Sequence, residues 1–453
     1  MTTSPAGRRR GAIGRRALLR ASLLGAPLAV GGCSWFDDIF EDTKTPLPGK
    51  RISIVSARAT LTGATHSQRV VLPPVVENAA WPQAGGNPAH LMGHLALGER
   101  PVEAWSSDIG EGGGFRQKIL CQPVAADGII YTMDSDAIVK AFDTRAGRHL
   151  WSHDTTDEND DSTNVGGGLA IEGGTLYAVN GLAWLVALDP KTGRQKWRRN
   201  LGAPARSAPT IAAGRLFVVV IGDKLLCLSA ADGHELWTHQ AANAATGLLG
   251  QPAPAYADGL VVAGFGSGEM AALRAETGGV AWIESLASPR GRSNVGDVSA
   301  IRGLPVIDQG AVFAISLGGL MLSDDQRTGR RLWERDVAGE DSLWLAGDWV
   351  FVVSREQQIA AVKRDDGSLA WVTDLPRYEN EEKQRDPITW FGPVLASDRL
   401  IVASTTGKAL SVSPYTGEIL GQADLSGAAS LGPICAERTV FIVTDDGRVI
   451  AFR

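Results

Sequence analysis

The amino-acid sequence predicts an all-β fold, an eight-bladed β-propeller of four-stranded antiparallel blades. A Gly-x-x-x-Trp motif recurs with its tryptophans 38 to 51 residues apart, which is a period typical of stacked β repeats. No long stretch shows the 3.6-residue apolar period of an amphipathic helix. The six copies are Gly147/Trp151, Gly193/Trp197, Gly233/Trp237, Gly278/Trp282, Gly329/Trp333 and Gly367/Trp371.

Each repeat has the pattern of four strands. In the copy at residues 187–197 a strand ends, a polar turn reverses the chain with glycine at positive φ, and a second strand begins. Two apolar, β-branched runs precede each turn, as in residues 215–229. Four strands make one blade. A tryptophan at the same place in every repeat is expected to pack between neighbouring blades.

The two ends of the chain complete the count of blades. A seventh copy spans residues 411–421, with Gly421 in the place of the tryptophan, and residues 439–453 form an eighth hairpin without a fourth strand. Trp105 lies 46 residues before Trp151 and has no turn ahead of it. We therefore expect an N-terminal strand around Trp105 to join the C-terminal hairpin and close the ring.

Residues 1–32 are predicted to be a lipoprotein signal peptide. Arginines precede a short apolar run at residues 21–30, and Gly-Gly-Cys33 follows it. The sequence Val-Gly-Gly-Cys33 resembles the bacterial lipobox, which implies a mature N-terminus at an acylated Cys33 with palmitate among its acyl chains. Residues 14–19 also resemble a twin-arginine export signal, with an ordinary basic n-region as the alternative. We expect residues 33–80 to form a lipid anchor and tether, and residues 81–453 to form the propeller.

Charge argues against a nucleic-acid partner. Removing residues 1–32, with six arginines and no acidic residue, changes the formal net charge from −6 to −12. An acidic protein without a basic stripe is poorly suited to bind nucleic acid.

The sequence shows no catalytic, metal or cofactor constellation. Cys121, Cys227 and Cys435 lie singly in apolar runs, so we expect buried free thiols. His90 and His94 have metal-ligand spacing only on a helix, and a loop or capping segment is the preferred interpretation because Gly93 lies between them. The acidic stretch at residues 154–161 is expected to be a solvated loop, with a calcium site as the alternative.

The repeat Ala-x-Asp-x-x-Thr-Gly-x-x-x-Trp resembles the repeat of pyrroloquinoline-quinone (PQQ) dehydrogenases. A lipoprotein signal before eight such blades resembles the BamB family, the scaffold lipoproteins of the β-barrel assembly machinery. Quinoprotein dehydrogenases carry adjacent cysteines, whereas this chain has no Cys-Cys dipeptide. The resemblance therefore implies a non-enzymatic protein without a cofactor, anchored at the periplasmic face of the outer membrane. A quinoprotein-like oxidoreductase and a binder of another envelope component are the alternatives.

The resemblance also implies partner-binding residues. BamB-family proteins contact the POTRA domains of BamA through two neighbouring loops, and this scaffold helps unfolded outer-membrane precursors to reach BamA. In this sequence the matching residues are Leu248, Gly250 and Asp297. Leu249 stands where the family has arginine, and Ser299 stands where it has a second aspartate. These departures remove one charge of each sign from the implied contact.

Overall fold

A computed structural model describes residues 61, 68–114, 117–157, 162–244, 250–287 and 299–453. Within these residues the chain forms a β-propeller of eight four-stranded sheets, and one additional two-stranded hairpin lies between the sixth and seventh blades. The predicted fold class is confirmed. No helix in the described part of the chain is long and apolar enough to cross a membrane.

Strand β1 (Glu103–Asp108) comes first in the chain and belongs to the last blade, and the next strands build blades 1 to 4 in order. Blade 1 is β2 (Val124–Ala126), β3 (Ile129–Met133), β4 (Ile138–Asp143) and β5 (His149–Asp154); blade 2 is β6 (Gly167–Glu172), β7 (Thr175–Asn180), β8 (Trp184–Leu188) and β9 (Gln195–Asn200); blade 3 is β10 (Thr210–Ala212), β11 (Arg215–Val220), β12 (Lys224–Ser229) and β13 (Glu235–Gln240); blade 4 is β14 (Ala255–Ala257), β15 (Leu260–Gly264), β16 (Glu269–Arg274) and β17 (Val280–Ser285).

Blades 5 to 8 follow the same order from the first to the fourth strand. Blade 5 is β18 (Val306–Asp308), β19 (Ala311–Ile315), β20 (Leu320–Asp325) and β21 (Arg331–Asp336); blade 6 is β22 (Trp344–Ala346), β23 (Trp349–Val353), β24 (Gln358–Lys363) and β25 (Leu369–Asp374); the hairpin is β26 (Tyr378–Asn380) and β27 (Arg385–Pro387); blade 7 is β28 (Trp390–Ala396), β29 (Arg399–Ser404), β30 (Lys408–Val412) and β31 (Ile419–Asp424); blade 8 is β32 (Ile434–Ala436), β33 (Thr439–Thr444), β34 (Arg448–Phe452) and β1.

Strand β1 closes the ring as the sequence predicts. It pairs antiparallel with β34, and Trp105 lies opposite Ala451. The backbone amide of Val102 also donates to the carbonyl of Arg453 at 2.8 Å. The last blade therefore combines both ends of the propeller, and the hydrogen bonds of one blade hold the ring together.

Tryptophans of the fourth strands pack on turn glycines of the next blade. Each of these glycines has φ between +66° and +77°, and a Cβ added to any of them would lie within 2.8 Å of the indole. The motif thus joins two blades, because its glycine accepts the indole of the preceding repeat. The pairs are Trp105 on Gly147, Trp151 on Gly193, Trp197 on Gly233, Trp237 on Gly278, Trp282 on Gly329, Trp333 on Gly367 and Trp371 on Gly417.

Six of these seven indole nitrogens donate to a backbone carbonyl of the neighbouring blade. Trp151 Nε1 donates to the carbonyl of Pro190 at 2.9 Å, and Trp333 Nε1 donates to that of Arg364 at 2.6 Å. A buried indole N–H without an acceptor would cost free energy, so this bond fixes the ring's orientation as well as its burial. The expected role of the tryptophans in blade packing is confirmed.

A segment before β1, residues 76–97, runs around the ring and contacts the first strand of every blade in turn. It runs as irregular chain and exchanges hydrogen bonds with one blade after another. The ring is consequently held at its centre as well as at its seams, which are the contacts between neighbouring blades. The contacts are Asn78 with Cys435, Trp81 with Ala125, Gln83 with Ala170 and Ile211, Pro88 with Tyr256, Ala89 with Ile307, Gly93 with Trp344, and Leu95 with Ala396.

The packing of an indole on a glycine can be tested with two matched alanine variants. In Gly193→Ala the new Cβ lies 2.5 Å from the Trp151 ring, and the backbone is strained at φ +69°. In Gly214→Ala the backbone is strained in the same way, at φ +73°, but none of the described residues lies within 4 Å of the new Cβ. We expect Gly214→Ala to cost about 1–2 kcal/mol of unfolding free energy and Gly193→Ala about 2 kcal/mol more. Urea unfolding measures both, and equal losses would contradict this account of the motif.

Candidate partner-binding site

The predicted partner residues lie on two loops of adjacent blades. The β13–β14 loop (residues 241–254) contains Leu248, Leu249 and Gly250, and the β17–β18 loop (residues 286–305) contains Asp297 and Ser299. Gly250 and Ser299 are described by the structure. Leu248, Leu249 and Asp297, like the predicted lipidation site Cys33, lie outside the described residues.

A buried aspartate holds the β13–β14 loop. Asp223, in the turn between β11 and β12, has φ +56° and its carboxylate accepts hydrogen bonds from the amides of Ala244 (3.1 Å) and Gly266 (3.0 Å). The same carboxylate accepts from the side-chain amide of Gln251. Since bonds to a carboxylate are stronger than neutral ones, both flanks of the loop are fixed to the neighbouring turn.

The β17–β18 loop contacts a second turn, at residues 265–268 between β15 and β16. The amide of Ile301 donates to the carbonyl of Phe265 at 3.1 Å. A Cβ on Gly268 would lie 2.7 Å from the Ser299 carbonyl oxygen, and one on Gly318 would lie 3.1 Å from the Ser299 Cα. Ser299 is thus packed tightly between two hairpin turns, and glycine is needed at position 268, where φ is +84°.

The turn at residues 265–268, between β15 and β16, therefore brings the two loops together. The β13–β14 loop is linked to it through Asp223, whose carboxylate accepts the amides of both Gly266 and Ala244. The β17–β18 loop contacts it directly at Phe265 and Gly268. Gly250 has φ +77°, and among the described residues only Leu120 lies near a potential Cβ, at 3.9 Å. The sequence did not indicate the roles of Asp223 and Gln251, because their hydrogen-bond partners are distant in the chain.

Charged groups flank the two loops. The backbone carbonyl of Arg206 accepts the Gln251 amide at 2.7 Å, and its guanidinium donates to Val165 O at 2.6 Å; burial lowers the pKa of Arg206. On the other side, Arg302 pairs with Glu340 at 3.1 Å. These contacts leave fixed charges of both signs beside the loops, where they can orient a protein partner.

The described cysteine and histidine side chains are not arranged for catalysis or metal binding. Cys121, Cys227 and Cys435 are free and buried, as predicted, and burial raises the pKa of each thiol to about 12. His90 lies in a loop with Nδ1 at 2.6 Å from Pro305 O, and burial lowers its pKa to about 4. Within the described ranges no group of three or more His, Cys, Asp or Glu side chains is placed to hold a metal ion. The arrangement is one of surface loops on a rigid frame.

A family model described as "Outer membrane protein assembly factor BamB" matches residues 135–373 and 376–453. The chain belongs to the BamB family. Curated members of this family from Yersinia pestis and Burkholderia pseudomallei are 25% and 26% identical to it, each over 78% of this chain and over 88% and 87% of their own lengths. The resemblance to the BamB family that the sequence repeat indicated is confirmed.

Solved structures agree on the fold. BamB from Moraxella catarrhalis superposes with a TM-score of 0.67 at 19% identity, over 78% of this chain and 99% of that one. A quinohemoprotein alcohol dehydrogenase from Pseudomonas putida superposes with a TM-score of 0.65 at 13% identity, over 83% and 80% of the two chains. At such identities the likeness concerns the propeller, which enzymes and assembly factors share.

The Asp223 anchor can be tested. Asp223→Ala removes the acceptor of two backbone amides, so we expect a loss of about 2–3 kcal/mol in unfolding free energy and faster amide hydrogen exchange at residues 241–254. Asp258→Ala is the control, because Asp258 is an exposed turn residue that also has positive φ. Unchanged exchange in the loop would show that Asp223 does not hold it.

Proposed function

We propose that this protein is a non-enzymatic scaffold of the outer-membrane β-barrel assembly machinery that docks BamA and helps unfolded barrel precursors to reach it. Family membership supports the assembly role. The observation that supports the docking site is that Asp223 and the turn at residues 265–268 together bring the described flanks of both candidate loops to one place. Fixing the flanks of a loop on the ring reduces the conformational entropy that binding must cost, which favours affinity.

The contact with the BamA POTRA domains would be mainly apolar. Leu248 and Leu249 are adjacent apolar residues in the β13–β14 loop, and Asp297 supplies the one family charge retained in the β17–β18 loop. Since Leu249 and Ser299 remove one positive and one negative charge relative to the family pattern, the partner must tolerate both losses. A small apolar anchor with one flanking charge fits the usual composition of an interface centre.

The double variant Leu248→Glu with Asp297→Arg tests this docking site. We expect a folded protein with its affinity for the POTRA domains reduced by about 2 kcal/mol or more, roughly 30-fold. The control is Leu332→Glu with Asp348→Arg, which makes the same exchanges at exposed positions in blades 5 and 6. Binding measured by calorimetry should be unchanged in the control; equal affinity of both variants and the parent would exclude these loops.

We also propose anchoring through Cys33. The apolar run ends directly before Gly-Gly-Cys33, and acyl chains would hold the acidic mature protein at the periplasmic face of the outer membrane.

Cys33→Ala should abolish acylation and leave the protein unprocessed or soluble. Cys435→Ala changes a buried thiol and should remain lipidated. Mass spectrometry of the mature N-terminus decides the matter, since any N-terminus other than an acylated Cys33 would refute the anchor.

A non-enzymatic role accords with the thiols. The quinoprotein alternative needs an adjacent cysteine pair, and the chain's free cysteines are separate and kept protonated by burial. We expect purified protein mixed with PQQ and calcium to retain no chromophore after gel filtration and to reduce no dye with an alcohol. Turnover above a heat-denatured control would favour the oxidoreductase.

A further inference from the structure

One seam of the ring lacks the indole that fills the others. Gly421 in β31 lies opposite Ser411 in β30, as Trp371 lies opposite Ala361 and Trp333 lies opposite Ser323. Gly421 therefore occupies the structural position of the motif tryptophan. A Cβ added there would meet none of the described residues within 4 Å, so among these residues the space that an indole takes elsewhere is open between blades 7 and 8.

A cavity of about 720 Å³ lies at this seam. Buried apolar side chains form its inner wall, including Leu410, Ile442 and Phe452. Leu420, more than half exposed, stands at its mouth. This volume lies within the range of ordinary ligand pockets, and the cavity is larger than one indole needs.

The rim is polar and prearranged. Arg399 donates to the backbone carbonyls of Ser397 (3.0 Å) and Glu99 (2.6 Å), and the carboxylate of Asp398 accepts the Tyr415 hydroxyl. The charged rim residues are Arg100, Arg399, Glu99 and Asp398, whose formal charges cancel. Charge complementarity thus favours an uncharged ligand.

The other seams indicate what shape fits. At the seven filled seams the occupant is an indole that lies between two blades. The outer edge of blade 7, strand β31, runs beside the cavity with its face exposed, and an extended polypeptide can follow such an edge. A side chain from that polypeptide would then enter the open seam.

We propose that the cavity between blades 7 and 8 binds a tryptophan or other neutral aromatic side chain of a partner polypeptide. The aromatic ring takes the place that the repeat motif leaves vacant at Gly421. Its apolar faces contact the inner wall, and the polar rim contacts the backbone on either side. This site is separate from the loops of blades 3 and 4, so it goes beyond the proposed docking of BamA.

Short peptides test the site. The probes are N-acetyl-Gly-Ser-Trp-Ser-Gly-amide and the same peptide with alanine in place of tryptophan, titrated into the mature protein by calorimetry. We expect one-to-one, sub-millimolar binding of the tryptophan peptide and at least ten-fold weaker binding of the alanine peptide. Equal or undetectable binding of both peptides would overturn the proposal.

Gly421→Trp fills the cavity from within and should weaken tryptophan-peptide binding at least ten-fold. Ile283→Trp adds a tryptophan at an exposed position of β17 and should bind as the parent does. Binding that persists in Gly421→Trp would contradict the site. Affinity for the POTRA domains should not change in either variant, which separates this proposal from the docking proposal.

A second pair of variants decides the matter if Gly421→Trp does not fold. Leu420→Glu places a charge at the mouth of the cavity, and Leu236→Glu makes the same change at the equivalent exposed position before Trp237. We expect at least ten-fold weaker binding only for Leu420→Glu. Equal binding by the two variants would overturn the proposal.

Discussion

The packing of an indole on a turn glycine of the next blade is the interaction on which this ring depends. A sheet of four short strands cannot bury both faces alone, so each blade needs its neighbours. The glycine supplies a positive φ for the turn and a surface without Cβ on which the ring can lie. Because each motif joins two blades, the loss of one such contact destabilises the packing between neighbouring blades and not only the repeat that carries it.

The pairing of β1 with β34 and the contacts of residues 76–97 join the repeated blades into one body. Blade 8 draws one strand from the start of the propeller and three from its end, and residues 76–97 contact the first strand of every blade. The described flanks of two loops are fixed to this frame. Asp223 joins the β13–β14 flanks to the turn at residues 265–268, and the same turn contacts Ser299 and Ile301 of the β17–β18 loop.

The sequence was sufficient for the blade, the ring and its closure, since the Gly-x-x-x-Trp pattern is local and Trp105 lacks a turn of its own. It also showed that Gly421 replaces a tryptophan, but the cavity there depends on strands from two blades and on the chain before β1. The contacts of Asp223 could not be predicted, because they join turns and loops by side-chain hydrogen bonds that follow no repeat. The path of residues 76–97 likewise follows no period that a sequence pattern could show.

The central claim is that the loops after β13 and β17 meet BamA in the cell envelope. The most direct measurement is photo-crosslinking in membranes, with a photoreactive amino acid at Leu248 of the lipidated protein and, as a control, at exposed Leu332. Mass spectrometry of the adducts should identify BamA from position 248 and not from position 332. Recovery of a different envelope protein from position 248, with BamA missing, would contradict the account.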